Sequence, residues 1–540
     1  MKKKIKLSIG IQTFEKLIEK KCVYVDKTKY LIDLIENHEV CFLARPRRFG
    51  KSLTISTFDA IFSGKKHLFK GLYAEDFLNS PDFESSPIIR LDMSEITTCK
   101  GLDKIEQAMQ IDTLNVANKL NVKIQENLSS DKMFGQLIEN AAKKYNQKVV
   151  ILIDEYDKPY TDFVNDIDMA NKVRNILRDY YSKLKAKDEY IRFLFITGIS
   201  KFAKFGVFST LNTPLDISLM PKYTEICGLT EEEIIKYFPD YLEEIANEMQ
   251  ISTEKLIEEM RKFYNGFCFD SKGNTKLYNP YSTLTFLEKK EFLNHWVDTG
   301  RSKMIADYMK NRNLTVEQFR NIPISVDFAQ NPGDMDTASP EGFLYQAGYL
   351  TLRPGTSDSL CLDYPNTEVL NSMSALVSQN ILQDKNDDYT YCRTDLLDAL
   401  MSIDCNSLVD VFNRLLASIP YEDYEGAAKR SVKNNKYDYS TQEWMYRSVI
   451  LTFLRGCGVV VFAEMQTNLG RPDLVVAHKG KIWVIEIKVA GEGKNLSKKL
   501  EEAIMQIKDN NYAKPYPNAI CMGIVIDDAK RQIGEWGVYN

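Results

Sequence analysis

No apolar run in the 540-residue chain approaches the ~20 uncharged residues that a membrane span needs. The lysine-rich start, Met1 to Lys6, also lacks the apolar stretch of a signal peptide, so no membrane partner and a cytoplasmic location are expected. The ten cysteines include no C-x-x-C pair, which gives neither a zinc ribbon nor a disulfide framework; reduced, mostly buried thiols are the expectation. Positive charge is not in excess either. With a formal net charge of -5, any nucleic-acid contact has to come from a local basic groove. Internal repeats and low-complexity tracts are absent as well, which leaves out solenoids and disordered arrays. What is there, 44% hydrophobic and 27% charged residues, is ordinary globular composition at a length too great for one core, so two to four domains are expected.

From Val40 the order runs strand, glycine-lysine loop, helix, and then further elements up to an apolar strand at Val149 to Ile153 that ends in acids. A third apolar strand, Ile191 to Ile196, ends in Thr197, Gly198 and Ser200. This alternation predicts a doubly wound α/β domain whose parallel strands end at one ligand crevice. From Thr230 to about Lys262 apolar residues recur at helical spacing behind an N-cap candidate and three glutamates, which predicts a helical lid. The stretch from about Asn279 to Ile419 mixes helices, short strands and turns. Near the C-terminus a helix (Gln442 to Leu454), a strand (Val459 to Met465) and a hairpin (Asp473 to Ala477 and Ile482 to Ile487) are expected. A helix (Leu496 to Lys508) and a last strand (Ala519 to Ile526) complete an α-β-β-β-α-β order.

The run Arg45-Pro46-Arg47-Arg48-Phe49-Gly50-Lys51-Ser52 lies between a strand and a helix, where a phosphate loop belongs. In the G-x-x-x-x-G-K-[ST] pattern the first glycine falls on Arg45, and Pro46 supplies no N–H. Gly50, Lys51 and Ser52 keep the working parts. Backbone N–H groups would cradle phosphates, the Lys51 ammonium would meet the β and γ oxygens, and the Ser52 hydroxyl would ligate Mg2+. Asp154 and Glu155, delivered by the second strand, would sit beside the magnesium and beside an attacking water; two solvated acids at a strand end are the alternative. Thr197 or Ser200 would sense the γ-phosphate, and one of Arg45, Arg47 and Arg48 would be a finger or clamp unless the loop is merely basic and solvated.

The chain resembles the AAA-ATPase-like family, whose signature is a phosphate loop reading RPRRFGKS preceded by a YVDKT box, here Tyr24 to Thr28. The strings LIDEYD (Leu152 to Asp157), ITGISKF (Ile196 to Phe202), YNP (Tyr278 to Pro280) and YQAGYL (Tyr345 to Leu350) extend the resemblance over most of the chain. It implies ATP binding and hydrolysis, and it makes Arg45 part of the family's own pattern. For the YVDKT box it suggests a place near the nucleotide; an ordinary turn capped by Asp26 is equally compatible with the sequence.

Asp473, then Glu486-Ile487-Lys488 on the next strand, have the spacing of a PD-(D/E)xK phosphodiesterase. Side chains alternate along a strand, so Glu486 and Lys488 share a face, which Asp473 joins across the hairpin. That gives two hard oxygen ligands for Mg2+, with Mn2+ as the alternative, beside an ammonium that orients water. Glu443, or Glu464 in competition with it, would be an additional acid, and Gln506 with Tyr512 would complete the site. The region resembles the PD-(D/E)xK nuclease superfamily commonly joined to this ATPase family. Lys494, Lys498, Lys499, Lys508 and Lys514 would track a phosphate backbone or form a solvated face.

The expected fold is α/β: an AAA-like P-loop domain over residues 1–228, a helical lid and mixed linker over 229–420, and a restriction-endonuclease-like domain over 421–540. The expected function is an ATPase coupled to a Mg2+-dependent nucleic-acid hydrolase, DNA being favoured over RNA and an oligomer being compatible. The alternative is an ATP-dependent switch or scaffold whose nuclease-like domain binds nucleic acid or protein without cutting.

Overall fold

The structure is a computed structural model that describes residues 4–96, 101–201, 214–296, 305, 316–333, 338–355, 359–383, 389–418, 442–463, 471–491 and 493–539. It divides into two compact units, Met1–Trp296 with Asn321–Glu368, and Val297–Arg320 with Val369–Asn540. The stretch 229–420, expected as one middle region, is therefore shared between them.

In the first unit β1 (Val40–Ala44), β2 (Ile88–Asp92), β3 (Val149–Asp154), β4 (Ile191–Gly198) and β5 (Leu215–Asp216) form a parallel sheet in the order β2-β3-β4-β1-β5. Every residue of β3 is buried, and every residue of β4 except Arg192. Such unbroken apolar runs belong to strands covered on both faces. The strand order sets β4 between β1 and β3, with Leu43 beside Thr197 and Ile153 beside Ile196. The loop after β1, the acids after β3 and the Thr197 hydroxyl thus emerge together at the carboxyl ends of the strands.

The helix Lys51–Phe62 follows β1 and buries Ile55, Phe58 and Ile61. The Phe58 ring lies 4.7 Å from that of Phe195 and 5.3 Å from that of Phe193, which fixes the helix, and hence the loop before it, on the sheet. The predicted helical stretch resolves into Glu231–Tyr237, Pro239–Glu248 and Thr253–Tyr264. Thr230 opens it with a capping box, its Oγ1 accepting from Glu233 N while Glu233 Oε2 accepts from Thr230 N. Ile234, Leu242, Ile245, Leu256 and Met260 then share a core with Phe286 and Leu287. Also in this unit are the paired β6 (Phe267–Cys268) and β7 (Lys276–Leu277), and an antiparallel sheet of β8 (Ile322–Ile324), β9 (Thr351–Pro354) and β10 (Leu360–Asp363), in the order β8-β10-β9.

In the second unit the helix Gln442–Gly456 is followed by β11 (Val460–Ala463), β12 (Leu474–His478), β13 (Lys481–Ala490), the helix Leu496–Asp509 and β14 (Ile520–Asp527). This is the α-β-β-β-α-β order read from the sequence; β15 (Gln532–Tyr539), which was not foreseen, pairs with β14. The sheet runs β11-β12-β13-β14-β15, with only β13 and β14 parallel. Lys479 and Gly480, both at positive φ, turn the hairpin between His478 and Lys481 in two residues. Helices Tyr389–Ser402 and Cys405–Ala417 complete its core, where Leu400, Phe412 and Leu415 join Ile450, Phe453, Trp483, Ile485 and Ile524. The Trp483 indole N–H donates to Leu400 O at 3.3 Å. Among the described residues no helix is long and apolar enough to cross a membrane.

Candidate functional sites

Gly50, at φ 99°, caps the helix Lys51–Phe62, and Arg48 is also left-handed at φ 65°. The sharp turn that the first glycine would supply in the usual pattern is thus made further along, at Arg48 and Gly50. Contacts from distant segments hold the loop there. Asn279 Nδ2 donates to Arg47 O at 3.4 Å, and Gly228 N donates to Phe49 O. Phe49 packs edge-on against Phe267 and Phe269 at 4.8 and 5.2 Å. Gly348 lies so close to Pro46 that a β-carbon would stand 2.7 Å from Pro46 Cβ. The YNP and YQAGYL strings therefore share a purpose: both brace the phosphate loop.

Arg45 departs from its expected finger or clamp role. Its guanidinium turns inward, NH1 donating to Ala44 O and Ser218 O, and stacks 4.1 Å from the Phe269 ring centre, leaving Arg45 only 1% exposed. Burial pulls its pKa down to about 10. Arg48 donates to His295 O and lies over Tyr281, while Arg47 is half-buried. The Lys51 ammonium donates to Arg45 O at 2.9 Å and Pro46 O at 3.0 Å, spanning the loop's own carbonyls. Burial pulls its pKa below the usual lysine range, and the charges of Glu155, Asp154 and Asp157 oppose that pull. Ser52 is half-buried in the first turn.

Asp154 is buried at the end of β3, its Oδ1 accepting from Thr197 Oγ1 at 2.6 Å and from Glu155 N at 3.1 Å. Thr197 is thereby tied to the acid. Glu155, at φ 51°, turns away from the strand path, and burial lifts its carboxyl above the ordinary range against the attraction of Lys51. Ser200 Oγ donates to Asp157 Oδ2 at 2.6 Å; Asp157 also accepts from Ser200 N at 2.9 Å and Ile199 N at 3.2 Å. Asp157, only 1% exposed, is the residue the site reading passed over. Its signal was a third carboxylate just beyond an apolar strand. The YVDKT box packs against the helix that follows the loop: Tyr24 hydrogen-bonds Thr57, Asp26 accepts from Thr28 N at 2.8 Å, and Lys27 pairs with Glu233 at 2.5 Å.

In the second unit Asp473 and Glu486 are 6% and 1% exposed, and they interlock. Asp473 Oδ2 accepts from Ile487 N at 2.8 Å across the hairpin, and Glu486 Oε2 accepts from Asp473 N at 3.4 Å. Lys488 Nζ lies 2.9 Å from Glu486 Oε1 and 3.9 Å from Glu443, while Ile487 points into the core. Burial, then the charge of Asp473, holds the Glu486 carboxyl above the usual range. Burial lowers the Lys488 pKa, but Glu486 and Glu443 more than offset this and raise it overall. Arg447, one helical turn after Glu443, donates to Asp473 Oδ1 at 2.9 Å; only the E-x-x-x-R spacing could have pointed to it.

Gln506 hydrogen-bonds the Tyr512 hydroxyl at 3.4 Å, a pairing made within its own helix and turn. Glu464 lies outside the described residues. Lys494, Lys498, Lys508 and Lys514 are exposed, and Lys499 pairs with Glu502 at 2.5 Å. Among the described residues no three His, Cys, Asp or Glu side chains converge on one point. The pair Asp473 and Glu486 still fits a hard divalent cation, which takes few protein carboxylates and fills its shell with waters, a carbonyl or substrate phosphate. Two buried carboxylates whose mutual charge raises a pKa are a place where such an ion relieves repulsion.

A model described as predicted AAA-ATPase matches residues 8–208, and one described as PD-(D/E)XK nuclease superfamily matches residues 441–536. An "uncharacterized protein in vnfD 5' region" of Azotobacter chroococcum mcd 1 is 31% identical over 521 residues, covering 95% of this chain and 93% of that protein. Among solved structures, the Aeropyrum pernix ORC1 protein in complex with DNA aligns at 9% identity and TM-score 0.23, over 67% of this chain and 91% of its own. The Aeropyrum pernix ORC2 protein (ADPNP-ADP complexes) aligns at 11% and 0.26, over 70% and 96%. Scores that low carry no argument. The family matches and the full-length relative do: the chain belongs to the predicted AAA-ATPase family and carries a C-terminal domain of the PD-(D/E)XK nuclease superfamily.

Proposed function

We propose that the chain hydrolyses ATP in its first unit and, under control of that nucleotide, cuts nucleic-acid phosphodiester bonds in its second, with DNA the favoured substrate. The observation that carries the reading is the pair of buried clusters, Lys51 with Asp154 and Glu155, and Lys488 with Asp473 and Glu486. Buried carboxylates are costly to retain without a partner, and each cluster sets them against one ammonium, at the end of β3 in the first and within β13 in the second.

At the first cluster the N–H groups of the helix start and the Lys51 ammonium receive the triphosphate, and Ser52 and Asp154 hold Mg2+. Glu155, kept above the ordinary carboxyl range, orients the attacking water and takes its proton. At the second, Asp473 and Glu486 hold Mg2+ or Mn2+, which would polarise the phosphate and acidify water. Lys488 orients that water, and Glu443, which lies 3.9 Å from Lys488 and whose carboxyl burial raises, accepts its proton. Removing Asp473 should abolish cutting. Purified chain with ATP and Mg2+ or Mn2+ is expected to cleave single- or double-stranded DNA, and the Asp473→Ala variant is not. Indistinguishable behaviour of the two on DNA and RNA would sink the nuclease reading.

One observation favours the second reading, a switch or scaffold that binds without cutting: the Arg447 guanidinium already sits on Asp473 Oδ1. In that case Glu155→Gln locks a nucleotide-bound complex and leaves cleavage absent in every variant.

A further inference from the structure

The chain passes between its two units at three points, 296/297, 320/321 and 368/369. Two of these are clasped together inside the first unit. Glu368 Oε1 accepts from His295 N at 2.6 Å and from Trp296 N at 2.9 Å, so the residue before one passage holds the residues before another. The carbonyl of His295 in turn accepts from Arg48 NH1 at 2.5 Å. Arg48 belongs to the phosphate loop, is left-handed at φ 65°, and has its guanidinium 4.2 Å from the Tyr281 ring centre. An unbroken path of three contacts thus joins the loop to both passages.

The clasp is not at rest electrostatically. Glu368 is 0% exposed, yet its Oε2 has no hydrogen-bond partner, and neither do His295 Nε2, Trp296 Nε1 and Ser282 Oγ. Ser282 lies close enough to Glu368 to favour the ionised acid without meeting hydrogen-bond geometry. A buried acceptor left without a donor is costly to the arrangement that holds it. Burial pushes the Glu368 carboxyl up to about 7, in keeping with a charge held at some cost.

We infer that Glu368 is a positioning residue which, through His295 and Arg48, transmits the occupancy of the phosphate loop to the two chain passages leading into the nuclease-superfamily unit. Triphosphate competes for the Arg48 guanidinium, frees the His295 carbonyl, and lets Glu368 and its helix, Thr367–Gln383, rearrange. This rests on the proposal that the loop binds ATP, and it adds the route by which that binding is felt elsewhere.

The test is hydrogen exchange of the full-length chain with and without a non-hydrolysable ATP analogue and Mg2+. In the wild type the analogue is expected to change exchange within 369–383 by at least about fivefold, the lower end of ordinary allosteric coupling. Glu368→Leu keeps the volume and removes the acceptor, so the analogue should still bind while the change at 369–383 disappears. Glu368→Gln retains one acceptor oxygen and should restore it. Tyr281→Leu, which loosens Arg48 without touching the clasp, should weaken the response in a chain whose fold is undisturbed. Analogue that binds the wild type with no change at 369–383, or a full response in Glu368→Leu, overturns the relay alone. Failure of the analogue to bind the wild type overturns the nucleotide reading and the relay with it.

Discussion

Asp157 offers the sharpest test of how the carboxyl end of β4 is held. Its buried carboxylate accepts three hydrogen bonds from the segment leaving β4: Ile199 N at 3.2 Å, Ser200 N at 2.9 Å and Ser200 Oγ at 2.6 Å. In Asp157→Ala all three donors lose their acceptor. A hydrogen bond to a charged group is worth about 1.5–3 kcal/mol, so the two backbone donors alone should lose on the order of 3 kcal/mol of local protection. At tenfold per 1.4 kcal/mol, exchange of the Ile199 and Ser200 amides should accelerate roughly a hundredfold, with β3 unchanged. Peptide-level hydrogen exchange over 191–201 reads this directly. Ser200→Ala removes only the hydroxyl and should cost less, and the double variant should cost less than the sum of the two, since both act through one carboxylate. Unchanged exchange at Ser200 in Asp157→Ala would mean that the carboxylate does not hold the segment leaving β4.

Further outcomes follow from other contacts. Gly198→Ala puts a methyl 2.5 Å from Tyr156 Cε1 and 2.9 Å from Asp157 Oδ1, so thermal unfolding should show a loss of about 1–3 kcal/mol; a neutral variant would refute the tight packing. Arg447→Ala frees Asp473 Oδ1 and should tighten Mn2+ binding about tenfold by calorimetric titration, whereas weaker binding would show that Arg447 supports the ion seat instead of competing for it. Glu368 holds its proton in the folded chain up to about 7, against 4.5 otherwise. Its contribution to stability is therefore fully present below about pH 4.5 and lost as pH rises through about 7. Urea titrations should show the wild type losing on the order of 3 kcal/mol across that window relative to Glu368→Gln; parallel curves would contradict it.

Much of the architecture was legible along the chain because its signals are local. An unbroken, β-branched apolar run such as Val149 to Ile153 reads as a strand covered on both faces, and alternation around Glu486-Ile487-Lys488 on a strand puts the two charges on one face. The hairpin was written in Lys479-Gly480, the helical stretch in Thr230 and Glu233. By itself, then, the sequence determined the strands and helices around the two clusters of carboxylate and lysine, and the C-terminal order up to β14 but not β15. Tertiary structure decided the rest. Whether a charge turns toward solvent or toward a carbonyl depends on what folding brings opposite it. Arg45 looked like a phosphate ligand and is spent on Ser218 and Phe269, residues more than 170 positions away. Asp157 and Arg447 were plain charges until β4 and the hairpin arrived beside them. The strings that brace the phosphate loop, and the Glu368 clasp on His295 and Trp296, are likewise long-range pairings, whose partners a local pattern does not name.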